Sequence, residues 1–152
     1  MKEIPRGYED SVGVLITDEM TVDFAELGAV HPVYATYWLA KHMEEAGRKV
    51  LLPFLDEDEE GLGIAVSVKH HASALPGMRL EIVARHVDTT SASSTYRVHA
   101  ECEAHSELGD LIGTGTTEQY VTSASKVAAN FADLEGRWTR MQEALRSGRP
   151  VE

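Results

Sequence analysis

One helix-length apolar stripe followed by a long run of β-rich sequence limits this chain to few architectures. In VYATYWLAKHMEEAGRKVLL, residues 33–52, Ala35, Leu39, Met43, Ala46 and Val50 recur at three and four residues. That spacing lines side chains along one face of a helix. Pro53 ends the pattern, because proline has no N–H to continue the ladder. The stripe needs a cover, and strands follow it. GLGIAVSVKHHASA runs into Pro76-Gly77, which suit the centre of a type II turn. MRLEIVARHVDT comes next. Then, in STYRVHAECEAHS, Tyr96, Val98, Ala100, Cys102 and Ala104 alternate with Arg97, His99, Glu101, Glu103 and His105. Such alternation marks a strand with one buried and one wet face. Gly109-Asp110 makes a turn, and LIGTGTTEQYVTS returns.

Ahead of the helix, residues 11–22 (SVGVLITDEMTV) read as a strand and residues 23–32 (DFAELGAVHP) as a turn-like connection. The acidic run at 56–60 reads as a solvated loop. Near the end, Val127, Phe131, Leu134, Trp138, Met141 and Leu145 have helical spacing, interrupted at Gly136, and form either a cover for the sheet or a partner contact. One strand, one long helix and an antiparallel meander make an α+β class. The expected arrangement is a hotdog fold, an antiparallel sheet wrapped around one long helix, plus a C-terminal helix. A cystatin-like cone is the rival, but it usually starts with its helices. The expected organisation is one domain over 1–152, with a core of about 10–135 and a helical extension over 125–148. A sheet of this kind has open edges, and a homodimer is one way to cover them.

Composition removes several function classes. With 152 residues and 43% hydrophobic content, the chain supports one real core. A formal charge of −11 and no basic stripe argue against nucleic acid. No apolar run approaches a membrane span and MKEIPRGYED has no leader pattern, so a cytoplasmic protein without a membrane partner is expected. The lone Cys102 excludes an intrachain disulfide and a cysteine-based zinc site. Seven scattered histidines show no HxH or HxxxH spacing, so neither a metal nor another cofactor is expected.

The chemistry gathers around two adjacent histidines. Neighbouring strand residues face opposite ways, so His70 shares its face with Ile64, Val66 and Val68, whereas His71 shares its face with Lys69. His70 is thus the inward one, and a buried imidazole needs a partner. On the helix, Thr36 lies within the apolar stripe and Glu44 at its edge, eight residues apart, roughly 12 Å along the axis. Each has an ordinary explanation: His70 as a satisfied core residue, Thr36 as a helix cap, Glu44 as a surface partner of Arg48. Together, a hydroxyl, a carboxylate and an imidazole facing one cleft are the parts needed for acyl transfer.

VYATYWLAKHMEEA, LGIAVSVKHHASALPG and IGTGTTEQYV, in this order and spacing, resemble the fluoroacetyl-CoA thioesterase family of hotdog enzymes over residues 10–135. The resemblance implies hydrolysis of an acyl thioester carried on coenzyme A or an acyl-carrier protein, in a dimer with pockets at the subunit interface. By position it assigns the family's catalytic threonine, glutamate and histidine to Thr36, Glu44 and His70, and an oxyanion-binding backbone N–H to Gly63. Glu44 would be nucleophile or general base, Thr36 would position it or the substrate, and His70 would orient groups and move protons. Val30 and His31 stand near where a lid phenylalanine is expected, Tyr37 follows the threonine, and Gln119 replaces an arginine. These four are candidate pocket residues, and the departures favour an acyl group other than fluoroacetyl. Relatives in macrolactam pathways suggest a secondary-metabolite role and an alternative reaction. There glycine adds to an α,β-unsaturated acyl thioester before hydrolysis, giving a β-amino acid, with Arg85 or Arg97 as a possible glycine clamp. A non-catalytic acyl-binding module is a further alternative; a hotdog hydratase is disfavoured because the helix lacks its aspartate. A basic patch at Lys41, Arg48 and Lys49 is the candidate dock for an acidic carrier.

Overall fold

The computed structural model describes residues 1–147. Residue 148, the expected end of the helical extension, lies outside the described residues. The elements are β1 (Glu9–Leu15), β2 (Thr21–Phe24), β3 (Gly28–Tyr34), α1 (Thr36–Leu51), β4 (Glu59–His70), β5 (Arg79–Ala92), β6 (Thr95–Ser106), β7 (Leu111–Ser123) and α2 (Ala124–Ser147). Five strands form one antiparallel sheet in the order β1-β5-β6-β7-β4. α1 packs against all five of them, the hotdog arrangement. β1 and β4 are left as edges.

The core is built by the patterns that form its elements. Leu39, Met43, Ala46 and Val50 of α1 are completely buried, as their helical spacing requires. Each large apolar side chain removed from water in this way contributes about 1.5–3 kcal/mol. They meet the inward half of the alternating strands, where Val98, Ala100, Cys102 and Ala104 are buried while Arg97, Glu101 and Glu103 stay exposed. The Pro76-Gly77 turn forms with Gly77 at φ 91°, and the Met78 N–H bonds to the Leu75 carbonyl.

Four segments depart from the sequence reading, one of them the acidic run 56–60, whose Glu59 and Glu60 are half-buried and open β4 instead of lying in a solvated loop. Residues 11–22 do not form one strand: β1 stops at Leu15, a 3-10 turn covers Asp18–Met20, and β2 begins at Thr21. The stretch taken as a turn-like connection pairs β2 with β3 in a separate two-stranded ribbon. Two register shifts interrupt that pairing, so its sequence shows no clean alternation. α2 runs without a break through Gly136, and it does not cover the sheet. Val127 is its one buried residue, and its packing is against β7 and β4. No helix among the described residues is long and apolar enough to cross a membrane.

Candidate active site

The candidate residues line a seam between α1 and the edge strand β4. β4 pairs with β7 so that His70, Val68 and Val66 lie opposite Gly113, Gly115 and Thr117. Thr117 and Gly113 are buried on the face turned to α1, so His70 faces inward as strand parity requires. His71 faces away and hydrogen-bonds through Nε2 to the Thr114 hydroxyl at 2.8 Å. Parity fails from Ile64 toward the start of β4. A bulge between Gly63 and Ala65 makes Ile64 an extra residue, which leaves it 46% exposed instead of inward with His70. The bulge re-aims the strand and sets Gly63 opposite the buried Gln119.

At the start of α1, the Thr36 hydroxyl and His70 Nδ1 are 3.0 Å apart. The helix is capped by Ala35, with no side-chain cap bond, so Thr36 is not the helix cap that its type suggests. His70 Nε2 is buried and has no hydrogen-bond partner among the described residues. Burial holds the His70 imidazole below its ordinary pKa, with the Ala72 backbone acting in the opposite sense. A neutral ring leaves one nitrogen to accept and one to donate, so the buried Nε2 keeps an unused hydrogen-bonding capacity.

Behind His70 stands a pair that sequence reasoning missed. Tyr34, fully buried, points its ring edge at His70 with centroids 6.3 Å apart. Its hydroxyl lies 2.6 Å from His42 Nδ1. Burial raises the Tyr34 pKa and lowers that of His42, so the phenol donates to a neutral imidazole. The signal was available: His42 follows Leu39 by three residues and precedes Ala46 by four, which puts it on the buried stripe.

Two turns along α1, the Glu44 carboxylate rests directly against Gly63. A Cβ at Gly63 would collide with Glu44 Oε1 and lie 3.5 Å from Gln119 Nε2. Gln119 is only 1% exposed, and neither its Nε2 nor its Oε1 has a partner among the described residues. Leaving a buried amide unpaired costs about 1–3 kcal/mol, so this amide is poised to bind something. Arg48 does not pair with Glu44; it bonds to Glu60 and to the Gly61 carbonyl. The structure therefore joins Thr36 to His70 and Glu44 to Gly63 and Gln119. No hydrogen bond links the two groups.

The other expected residues are distributed differently. The Tyr37 hydroxyl bonds to the backbone of Thr21 and Asp23, tying the β2–β3 ribbon to the start of α1. Val30 and His31 are exposed on β3 and make no hydrogen bond to Thr36, Glu44 or His70. Arg85 and Arg97 point out of the face opposite α1, since their neighbours Ala84, His86 and Val98 are the buried ones. Each is paired, Arg85 with Glu9 and Arg97 with Glu118, so neither offers a glycine clamp in the seam. The basic patch is largely neutralised: Arg48 is held by Glu60, Lys49 by Asp10, and Lys41 sits over the Trp38 ring.

Comparison with known proteins decides the family. The profile of the fluoroacetyl-CoA-specific thioesterase family matches residues 16–125. The chain belongs to this family. It is a hotdog-fold thioesterase, a thioester hydrolase. Fluoroacetyl-CoA thioesterase of Streptantibioticus cattleyicolor is 32% identical over 107 residues, spanning 70% of this chain and 71% of the relative. A Thermus thermophilus protein of the thioesterase superfamily superposes with a TM-score of 0.87 at 57% identity, covering 91% of this chain and 98% of that one. A variant of fluoroacetyl-CoA thioesterase solved in complex with acetyl-CoA gives a TM-score of 0.73 at 25% identity, over 85% of this thioesterase and 97% of the variant.

Proposed function

We propose that this thioesterase hydrolyses acyl-coenzyme A thioesters other than fluoroacetyl-CoA, in the seam between α1 and β4, as a homodimer joined along the β4 edge. The observation that carries the site is the Thr36–His70 hydrogen bond, which leaves a buried His70 Nε2 free. Glu44 takes the reactive role: its carboxylate removes a proton from water as that water adds to the thioester carbon, or it adds to the carbon itself. In the second case it displaces the thiolate to give a mixed anhydride that water then opens, returning free Glu44 and a proton. The Gly63 N–H stabilises the developing oxyanion. As the C–S bond breaks, the sulfur leaves as thiolate and takes up the proton that water gave. Thr36 and His70 hold the acyl end and move protons at the other end of the seam.

Coenzyme A is favoured over an acyl-carrier protein because Arg48 and Lys49 are engaged within the chain. An acyl group other than fluoroacetyl is supported by the ribbon beside α1, which presents Val30 and His31 and no aromatic lid at those positions. The dimer is supported by β4 itself, an unpaired edge with Ile64 and Val66 exposed at 46% and 39%. Exposed apolar edges of this kind call for a partner.

The test is free-thiol release from saturated and 2-enoyl coenzyme A thioesters, with and without glycine, with products identified by mass. Release from saturated substrates without glycine is expected. Release confined to enoyl substrates with glycine, yielding a β-amino acid, would replace hydrolysis by conjugate addition as the function. Glu44→Ala is expected to abolish turnover and retain acyl binding. Unchanged turnover in Glu44→Ala would remove Glu44 from the site.

A further inference from the structure

Past its first turn, where Val127 is buried, the apolar stripe of α2 is covered by nothing among the described residues. Val127, Phe131, Leu134, Trp138, Met141 and Leu145 follow one another at four, three, four, three and four residues. That is the a/d spacing of a coiled-coil seam, narrower than the stripe a helix uses to lie on a sheet. Only Val127 is buried. Phe131, Leu134, Trp138 and Leu145 are 59%, 55%, 58% and 68% exposed, a row of large side chains that a solitary soluble chain rarely leaves open.

We infer that this seam is an interface between two copies of the chain, with α2 packed antiparallel on α2 of a second copy about a two-fold axis near residue 136. The spacing reads the same in both directions. Reversing it sets Phe131 level with Met141 and Leu134 with Trp138 of the other copy, so that each layer joins side chains of different size, while Val127, already buried in its own chain, takes no part. A two-fold interface requires this self-complementarity. Charge agrees. α2 carries four basic and three acidic residues, nearly balanced within a chain whose formal charge is −11. Two copies can therefore meet on α2 without the mutual repulsion the rest of the surface would impose. The balance also leaves nothing to steer a strongly charged partner onto the helix. Finally, α2 starts beside β4, with the Ala124 N–H bonded to the Asp58 carbonyl, so it leaves the body next to the edge at which the homodimer of the proposed function, on which this inference rests, is joined.

Paired cysteines in the full chain test the arrangement. Phe131→Cys/Met141→Cys places its two thiols ten residues apart on one helix, too far for an intrachain bond, yet level with each other across the antiparallel pair. Under mild oxidation this double variant is expected to form a covalent dimer, and each single variant is not; Cys102 is buried and stays silent. A dimer formed equally by the single variants, or none from the double, overturns the inference. Sedimentation of Trp138→Glu gives an independent reading, because the position is exposed and the substitution leaves the fold of one chain intact. Self-association is expected to weaken at least tenfold. Unchanged association with thiol release intact would overturn the interface while leaving the thioesterase reading in place.

Discussion

Gly63→Ala puts one methyl group between the β4 bulge and the Glu44 carboxylate. The added Cβ would fall well inside 3.0 Å of Glu44 Oε1 and 3.2 Å from its Cδ, so one of them has to move. Glu44 is an exposed side chain and its carboxylate is the free end, so the carboxylate yields and the backbone stays. The stability change should therefore stay within about 0.5 kcal/mol, the range of an ordinary surface substitution. The activity change should be large. The carboxylate must retreat by roughly 1 Å, and misplacing a reacting group by that much costs about 10²-fold in rate, or about 2.7 kcal/mol. Alanine keeps the backbone N–H, so the loss does not come from a missing oxyanion donor. The assay is thiol release at saturating acyl-coenzyme A, with urea unfolding run in parallel. In a Glu44→Ala background, Gly63→Ala should add no further loss, because both act through the same group. A kcat within twofold of the parent, with an unchanged urea midpoint, would refute the argument that contact with Gly63 sets the position of a working Glu44.

His70→Ala should lower kcat by about 10²-fold or more, as expected for a positioned acid–base group, while His71→Ala stays within about twofold because its Thr114 bond lies on the outer face; equal losses in thiol release would undo the inward assignment. Thr36→Val removes the hydroxyl bonded to His70 and should cost activity that Thr36→Ser restores, with the imidazole's nuclear magnetic resonance titration moving in the valine variant alone. Gln119→Leu should raise the unfolding free energy by about 1–3 kcal/mol, read as a higher urea midpoint, since it deletes two unpaired buried polar atoms, and should raise KM; a destabilised variant would mean the amide is already satisfied. His70 and His42 both have folded pKa values pushed below the ordinary 6.5, mainly by burial. The unfolded chain then binds more protons at lower pH, so stability is full above about pH 6.5 and declines below it, by up to about 1.4 kcal/mol per pH unit for each histidine. A urea midpoint that stays flat between pH 7.5 and 5.5 would contradict this.

Much of the site was legible because local periodicity carries it. A helix places residues three and four apart on one face, and a strand alternates its side chains, whatever lies across from them. These rules chose His70 over His71 and identified the wet and dry faces of β6. They put Thr36 within the apolar stripe, whereas it is exposed at the start of α1 and still reaches His70. They also needed no knowledge of the β4 bulge to place His70, because His70 lies on the regular side of it. Gly63 lies on the other side, and there alternation alone would have turned it outward. His42 was legible in principle, but its value depends on Tyr34, which reaches it from a different element.

What the amino-acid order determined by itself, then, was the kind of each element and the side of it that turns inward, because both follow from backbone geometry within a few residues. Who stands opposite whom was decided only by the tertiary structure. Arg48 went to Glu60 and Gly61 instead of Glu44, the Gln119 amide was buried beside Glu44 without a partner, and residues 21–34 became a ribbon instead of a plain connection. The apolar stripe of α2 was left open instead of being laid on the sheet. These outcomes depend on register and on contacts between residues distant along the chain, where several pairings satisfy the same local pattern and packing of the whole selects one.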